Sequence, residues 1–436
     1  MDVVNENAIF LQVALGWTVV ALFVAVLVIH RTALLGFTVF SAFGIMVSTH
    51  SGLLWTSLFG LDYSWVTPAH LVVFSYAGSG MLLFAIAIFV AWKPLRIHAK
   101  TDPGARENPI SGDFAPSWLA PQFVLLCMCI GAAGYILTPI TSRIPTVHAI
   151  WTIFFDWLNI GILISAFYSG VTRRYRVVIT SLAVFFPLGL LRVVSDGHAG
   201  ALGLFLLQFG LVYFMARKVR LPQLVMVGVL GLALGPLASA WFQVRDFIRS
   251  GSIQGNPIQR VMTFLDLFMI YYEPFSIDPY KMRQVLFLRF DFTEIYATQV
   301  MYQPINEPYA YGKTFTENIL VILVPRILWP DKPVRFGGAE FVSRFTGMFR
   351  EGEENVSVGT PVNLEFYANF GPWGAGLLLG LYGYLCAKLE ISLFRKDFRD
   401  LPKLLRRFVY TVIVCSASSN LAMTVMKLLP GLLGIW

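Results

Sequence analysis

Apolar stretches close to membrane-spanning length recur along this chain, and the connections between them alternate between basic and cation-poor. A helix that crosses a hydrocarbon core needs about 20 predominantly apolar residues, because no water is there to satisfy an exposed backbone. The runs fall near 8–30, 33–60, 67–92, 117–139, 146–170, 176–194, 199–216, 222–244, 361–391 and 407–430. Basic connections stand at His30-Arg31, at 93–106 (Lys93, Arg96, Lys100, Arg106), at Arg173-Arg174-Tyr175-Arg176, at Arg217-Lys218-Val219-Arg220 and at 395–407. The alternate connections, 61–65, 141–145 and 195–200, carry few cations. Surplus Lys and Arg marks the cytoplasmic side. The pattern therefore places the N-terminus and the long segment 245–360 outside. It predicts an all-α polytopic membrane protein with about 10–12 spans. Three parts follow: an N-terminal bundle over 1–244, a large outer segment over 245–360, and C-terminal spans over 361–436.

Composition supports this class and excludes others. Charged residues make up 13% of the chain, against about 25% in soluble domains. The net charge of +8 (33 − 25) is what basic cytoplasmic loops produce, and no nucleic-acid recognition motif accompanies it. Cys127, Cys129, Cys386 and Cys415 all lie in apolar runs, without redox or metal-ligand spacing, and are expected to be small core residues. The first apolar run lacks a basic leader and a small-residue cleavage site, so it reads as an anchor.

The outer segment balances 12 Lys and Arg against 13 Asp and Glu. It holds apolar-periodic pieces at 258–272 and 283–300, expected as amphipathic helices lying on a membrane or on the bundle. The run 316–329 is short and ends in Pro325-Arg326 and Trp329-Pro330. If it crossed, the basic stretch 395–407 would lie outside, so it is expected to be re-entrant or interfacial. Its continuation, LVPRILWPDKPVRFGG (323–338), gathers Arg326, Lys332 and Arg335. Fixed arginines offer a planar fork that matches phosphate oxygens. On an outer leaflet this suggests a lipid-linked pyrophosphate, or simple anchoring to anionic headgroups.

YGKTF (311–315), then PRILWPDKP (325–333), then GTPVNLEFYANFG (359–371) opening the next apolar run, resembles the O-antigen (Wzy-type) polymerases, the oligosaccharide repeat-unit polymerases. The resemblance covers the topology broadly and the motifs over 311–371. It implies a fold like the membrane glycosyltransferases of type C. It also implies transfer of a growing glycan en bloc from undecaprenyl pyrophosphate onto a new lipid-linked repeat, at the periplasmic face of a bacterial inner membrane. The implied partners are that lipid-linked oligosaccharide, membrane lipid and a chain-length regulator protein. Two departures stand out. In the hairpin LLRVVSDGHAGALG (190–203), His198 occupies the place where the family often carries an arginine, with Arg192 six residues earlier. The apolar tail after 407 is shorter than the family's closing helix pair.

Such a transfer needs preorganised cations for the departing pyrophosphate, a general base for the acceptor hydroxyl, and dry alignment. The cation candidates are Arg326, Lys332 and Arg335, with Arg289 in FLRFDF and Arg192 as further phosphate contacts. Arg289 has a local alternative as partner of Asp291 or Glu294. Arg192 has one as the neutraliser of Asp196. The candidates for the catalytic carboxylate or base are Asp196, His198 and Glu365. Asp196 is the first choice, His198 an orienting or alternative base, and Glu365 either a base or the group that orients a pyrophosphate arginine. Asp156 is a further buried acid, and Trp151, Trp157, Tyr271 and Tyr272 fit interfacial belts or sugar stacking. No HExxH, nucleophile elbow or Asp-x-Asp pair is present, so no metal or cofactor is expected. The alternatives are an O-antigen ligase of the same superfamily and a transporter or flippase for lipid-linked sugars.

Overall fold

In a computed structural model of the chain, the described residues are 5–30, 36–101, 121–141, 257–272, 291–316, 338–348 and 361–394, with scattered positions between 161 and 247 and Tyr280. Among them every regular element is a helix. These are α1 (Glu6–His30), α2 (Gly36–Phe59), α3 (Pro68–Thr101), α4 (Pro121–Thr141), α5 (Pro257–Tyr271), α6 (Thr293–Tyr302), α7 (Gly338–Thr346) and α8 (Val362–Phe394). Two apolar stretches, Glu6–Val26 and Pro68–Ala91, are long and apolar enough to cross a membrane.

Helix direction can be read from the contacts. Gln12 Nε2 donates to Ser75 Oγ at 3.0 Å, and further along Phe23 meets Phe84 edge-on, so α1 and α3 run the same way. Tyr76 packs on Tyr367, Gly80 on Gly376 and Phe84 on Gly383, so α8 also runs parallel to α3. The loop between Phe59 and Pro68 and the residue Pro361 therefore lie at one end of the bundle. The stretch with Lys93, Arg96 and Lys100 ends α3 at the other, toward which α8 also runs.

Glycine makes the α3–α8 seam possible. A methyl group at Gly80 would sit 3.0 Å from Gly376 O, and one at Gly376 would sit 3.3 Å from Tyr76 O. Each backbone thus occupies the space a side chain on the other would need. On the same helix Leu377, Leu381 and Leu385 recur every four residues and are exposed. Ala375 and Gly376 share the inward face with Leu379 and Tyr382, and the small residues let the two helices approach closely.

Helices from all three sequence segments share one core. Val19 and Phe23 of α1, Ala42 and Ile45 of α2, Phe84 and Ile88 of α3, Tyr296 of α6, Phe341 and Phe345 of α7 and Leu379 of α8 belong to a single buried cluster. Of the two ways the 283–300 piece could lie, on a membrane or on the bundle, its α6 portion takes the second and goes further. It is packed into the bundle, with Thr293, Tyr296, Ala297 and Gln299 buried. The 258–272 piece forms α5, which buries Phe264 against Trp241 and leaves Met262, Leu265 and Met269 exposed. The cysteines depart in part from expectation. Cys127 and Cys386 are buried, but Cys129 is exposed, because two residues along a helix is a rotation of about 200°. Cys415 lies outside the described residues.

Candidate functional site

The geometry of the site begins with a broken helix. Gly371 has φ +67° and is followed by Pro372 inside α8. Proline has no N–H, so the carbonyl four residues earlier, Ala368 O, loses its helical donor. Residues 310–312 replace it: Ala310 N–H donates to Ala368 O at 3.0 Å, Tyr311 N–H to Asn369 O at 3.0 Å, and Gly312 N–H to Asn369 Oδ1 at 2.8 Å. A side chain at Gly371 would strike the Tyr309 ring, 2.9 Å away. The break in α8 is thus the docking site for the 309–312 turn, and YGKTF is bound to NLEFYANFG.

A buried polar cluster lies at this junction. Asn369 Nδ2 donates to Thr314 Oγ1 at 2.6 Å and to Glu365 O at 2.8 Å. With Oδ1 receiving Gly312 N–H, the orientation of the amide is fixed by its network. Thr314 Oγ1 donates in turn to Glu365 Oε1 at 3.2 Å. Glu365 is 1% exposed, and residues 361–369 are buried without interruption. From α6, Gln299 Nε2 reaches Leu364 O at 3.2 Å and Gln303 Nε2 reaches Ala368 O at 3.4 Å, while Tyr296 OH donates to Asn363 Oδ1. Three elements hold one acid away from water.

Two further acids stand near the start of α6. Asp291 accepts from Gly52 N–H, from Ser51 Oγ at 3.1 Å, and from both the N–H and the hydroxyl of Thr293. Phe292 N–H donates to Ser48 O at 2.8 Å and Thr293 Oγ1, whose one proton Asp291 and Thr49 O share as acceptors, lies 3.0 Å from the latter, so the segment 291–293 exchanges hydrogen bonds with α2. Burial pushes the Asp291 carboxyl up from its ordinary range, and these donors pull it part of the way back. Glu294, which is exposed, has its Oε1 3.5 Å from His70 Nε2. His70 Nδ1 accepts Thr67 N–H at 3.2 Å, which leaves the ring proton on Nε2, facing the carboxylate. Trp65 closes over the ring edge-on at 5.4 Å.

The His70 ring, with Nε2 3.5 Å from the carboxylate, holds Glu294 below its ordinary value of 4.5. A depressed carboxyl stabilises the fold above its unfolded value and loses that contribution as pH falls through the folded value. Glu294→Gln is therefore expected to melt slightly below wild type in detergent at pH 7. The two proteins should converge on acidification below pH 4.5. A constant offset across that range would assign the loss to packing instead.

Of the site residues that the sequence suggests, only Glu365 falls among the described ones, and it is joined to Thr314 and Asn369. Asp196, His198, Arg192, Arg289, Arg326, Lys332 and Arg335 lie outside them, as do Asp156, Trp151 and Trp157. Tyr271 stacks on Phe247 and Tyr272 on Phe268, which accounts for both rings structurally. Asp291 and Glu294, the local alternatives for pairing with Arg289, are engaged by α2 and by His70. Another cation of the 245–360 segment serves the fold directly. Arg344 Nε donates to Glu307 Oε1 at 2.8 Å, tying α7 to the 303–312 loop. Sequence reasoning missed Thr314, Asn369 and His70 as members of buried or paired polar clusters, and weighed Asp291 and Glu294 only as partners of Arg289. Among the described residues no group of three or more His, Cys, Asp or Glu gathers as a metal site. No protein-family model, no curated protein and no solved structure matches the chain.

Proposed function

We propose that this chain is a polysaccharide polymerase of the inner membrane, which joins undecaprenyl-pyrophosphate-linked repeat units at the periplasmic face within a 10–12-span bundle like the membrane glycosyltransferases of type C. One observation carries the reading. Two of the three motifs on which the resemblance rests, 311–315 and the described part (361–371) of 359–371, are hydrogen-bonded around a single buried acid. They meet at the end of the bundle opposite Lys93, Arg96 and Lys100, the end that the charge pattern places outside. The outward leucine stripe of α8 fits lipid.

In this reading the acceptor sugar hydroxyl attacks the anomeric carbon of the donor glycan. The bond from that carbon to the pyrophosphate oxygen breaks, and undecaprenyl pyrophosphate departs with the electron pair. The hydroxyl proton passes to a base, Asp196 first, with His198 and Glu365 as the alternatives. Arg326, Arg335 and Lys332 receive the charge that grows on the leaving group, aided by Arg289 and Arg192. Glu365, fixed by Thr314, orients one of these arginines. The activated donor makes a covalent enzyme intermediate unnecessary.

The test is the purified full chain incubated with lipid-linked repeat units. Wild type should lengthen chains. Arg326→Ala and Arg335→Ala should each lose about 10²–10³ in rate, and lysine should substitute poorly because it lacks the bidentate fork. Translocation of the lipid-linked unit without new glycosidic bonds, or transfer only to a lipid A core, would replace this reading with the flippase or the ligase.

A further inference from the structure

Tyr311 is, among the described residues, the non-glycine residue with a left-handed backbone, at φ +46°. That conformation is costly for an L-residue with a bulky side chain. Gly312 beside it, at φ +89°, shows what a turn here normally takes. The Tyr311 ring is 74% exposed, so core burial does not offset the strain. The backbone is nevertheless held firmly, by the hydrogen bonds of 310–312 to Ala368 and Asn369. A strained residue that the surroundings over-determine, and whose side chain is kept out of the core, points to a role at the surface.

The ring has fitting neighbours. Tyr309 stands edge-on to it at 6.5 Å and 82°, so the pair forms a corner with one open aromatic face. Lys313 and Thr316 lie toward solvent on the same turn, and Thr314 between them is bonded to Glu365. The negative face of an aromatic ring attracts the polarised C–H groups on one face of a pyranose, while polar groups at the rim take its hydroxyls. A tyrosine serving only as a membrane-belt residue needs no such rim and no strained turn. We propose that Tyr311, with Tyr309 at its edge, is a carbohydrate subsite that stacks one sugar ring of the repeat unit beside the Glu365 cluster. This rests on the polymerase reading of the same site.

The experiment uses the detergent-solubilised full chain and, as probe, oligosaccharide repeats released by mild hydrolysis from the producing cell's own surface polysaccharide. Calorimetric titration should show Tyr311→Gly binding roughly tenfold more weakly, the loss of one stacking contact, and Tyr311→Trp binding close to wild type. Tyr311→Gly should melt no lower than wild type, since glycine relieves the strain. In chain growth it should raise the repeat concentration needed for half-maximal rate by a similar factor and leave the maximal rate nearly unchanged. Equal binding by wild type and Tyr311→Gly, or no binding by wild type, overturns the subsite. Wild type that binds the repeat through Tyr311 but lengthens no chain upholds the subsite and sinks the polymerase reading instead.

Discussion

Gly376→Leu is expected to abolish the folded protein's resistance to detergent and, with it, all chain growth. A methyl group at position 376 already comes within 3.3 Å of Tyr76 O, and that neighbour is backbone, which cannot rotate away. Three more carbons must push α3 and α8 apart. Overpacking a filled site costs about 1–3 kcal/mol; here the seam runs from Tyr76 to Phe84, so the upper end of that range is expected. Separation at Gly376 also pulls on Tyr367 and on the buried stretch 361–369. Melting in mild detergent, followed by size-exclusion profile, measures the effect. Gly376→Ala, with its single carbon at 3.3 Å, should be far milder, and the contrast between the two variants reports the closeness of the seam. A leucine variant that melts like wild type would mean that the helices do not meet there.

Glu365→Gln is expected to keep the fold and lose the reaction. Glutamine fills the same space and its carbonyl oxygen still accepts the Thr314 hydroxyl, so the links from Thr314 to Asn369 and on to the 310–312 turn survive. What disappears is the ionisable carboxyl, the group that the proposed function needs to hold an arginine or take a proton. Chain growth should fall by about 10²–10⁴, the range for a positioned base or its equivalent in charge, with melting near that of wild type. Glu365→Ala should lose both activity and stability, because Thr314 and whatever else contacts the acid are left unpaired. Normal chain growth from the glutamine variant would reduce Glu365 to a structural acid and leave Asp196 and His198 to carry the chemistry.

The helical class and the ends of several helices were legible because long apolar runs and the breaks between them are written in single stretches of sequence. α1, α2 and α3 occupy the first three apolar runs, and Pro361-Val362 opens α8 close to where hydropathy begins it. The acid in NLEFYANFG stood out in the sequence because a carboxyl inside an apolar run is costly, and the structure buries it. Its partners were less accessible. Thr314 lies 51 residues away, and nothing local to YGKTF says that its turn fills the gap left by Pro372. The His70–Glu294 contact joins residues at the starts of two separate helices, beyond the reach of any periodicity. Asp291 did leave a local sign: an acid inside the 283–300 run, with Glu294 three residues on, is a helix-start pattern. Its bonding to Gly52, by contrast, is 239 residues away in sequence.

The break at Gly371 also bears on how the protein is made. Asn363, Glu365 and Asn369 occupy the first turns of α8 and are buried there, yet the same turns formed alone would leave these polar side chains and, at Ala368, a carbonyl lacking its donor without their protein partners. The groups that cover them, Tyr296, Gln299, Gln303 and the 310–312 turn, all precede α8 in the chain. α6 itself is fastened by Asp291 to α2, which comes earlier still. Synthesis from the N-terminus thus delivers receptor before ligand at each stage: α2 awaits α6, and α6 awaits the head of α8. A circular permutant that begins at 361 and presents α8 first would reverse that sequence, leaving its polar head uncovered until the rest of the chain arrived.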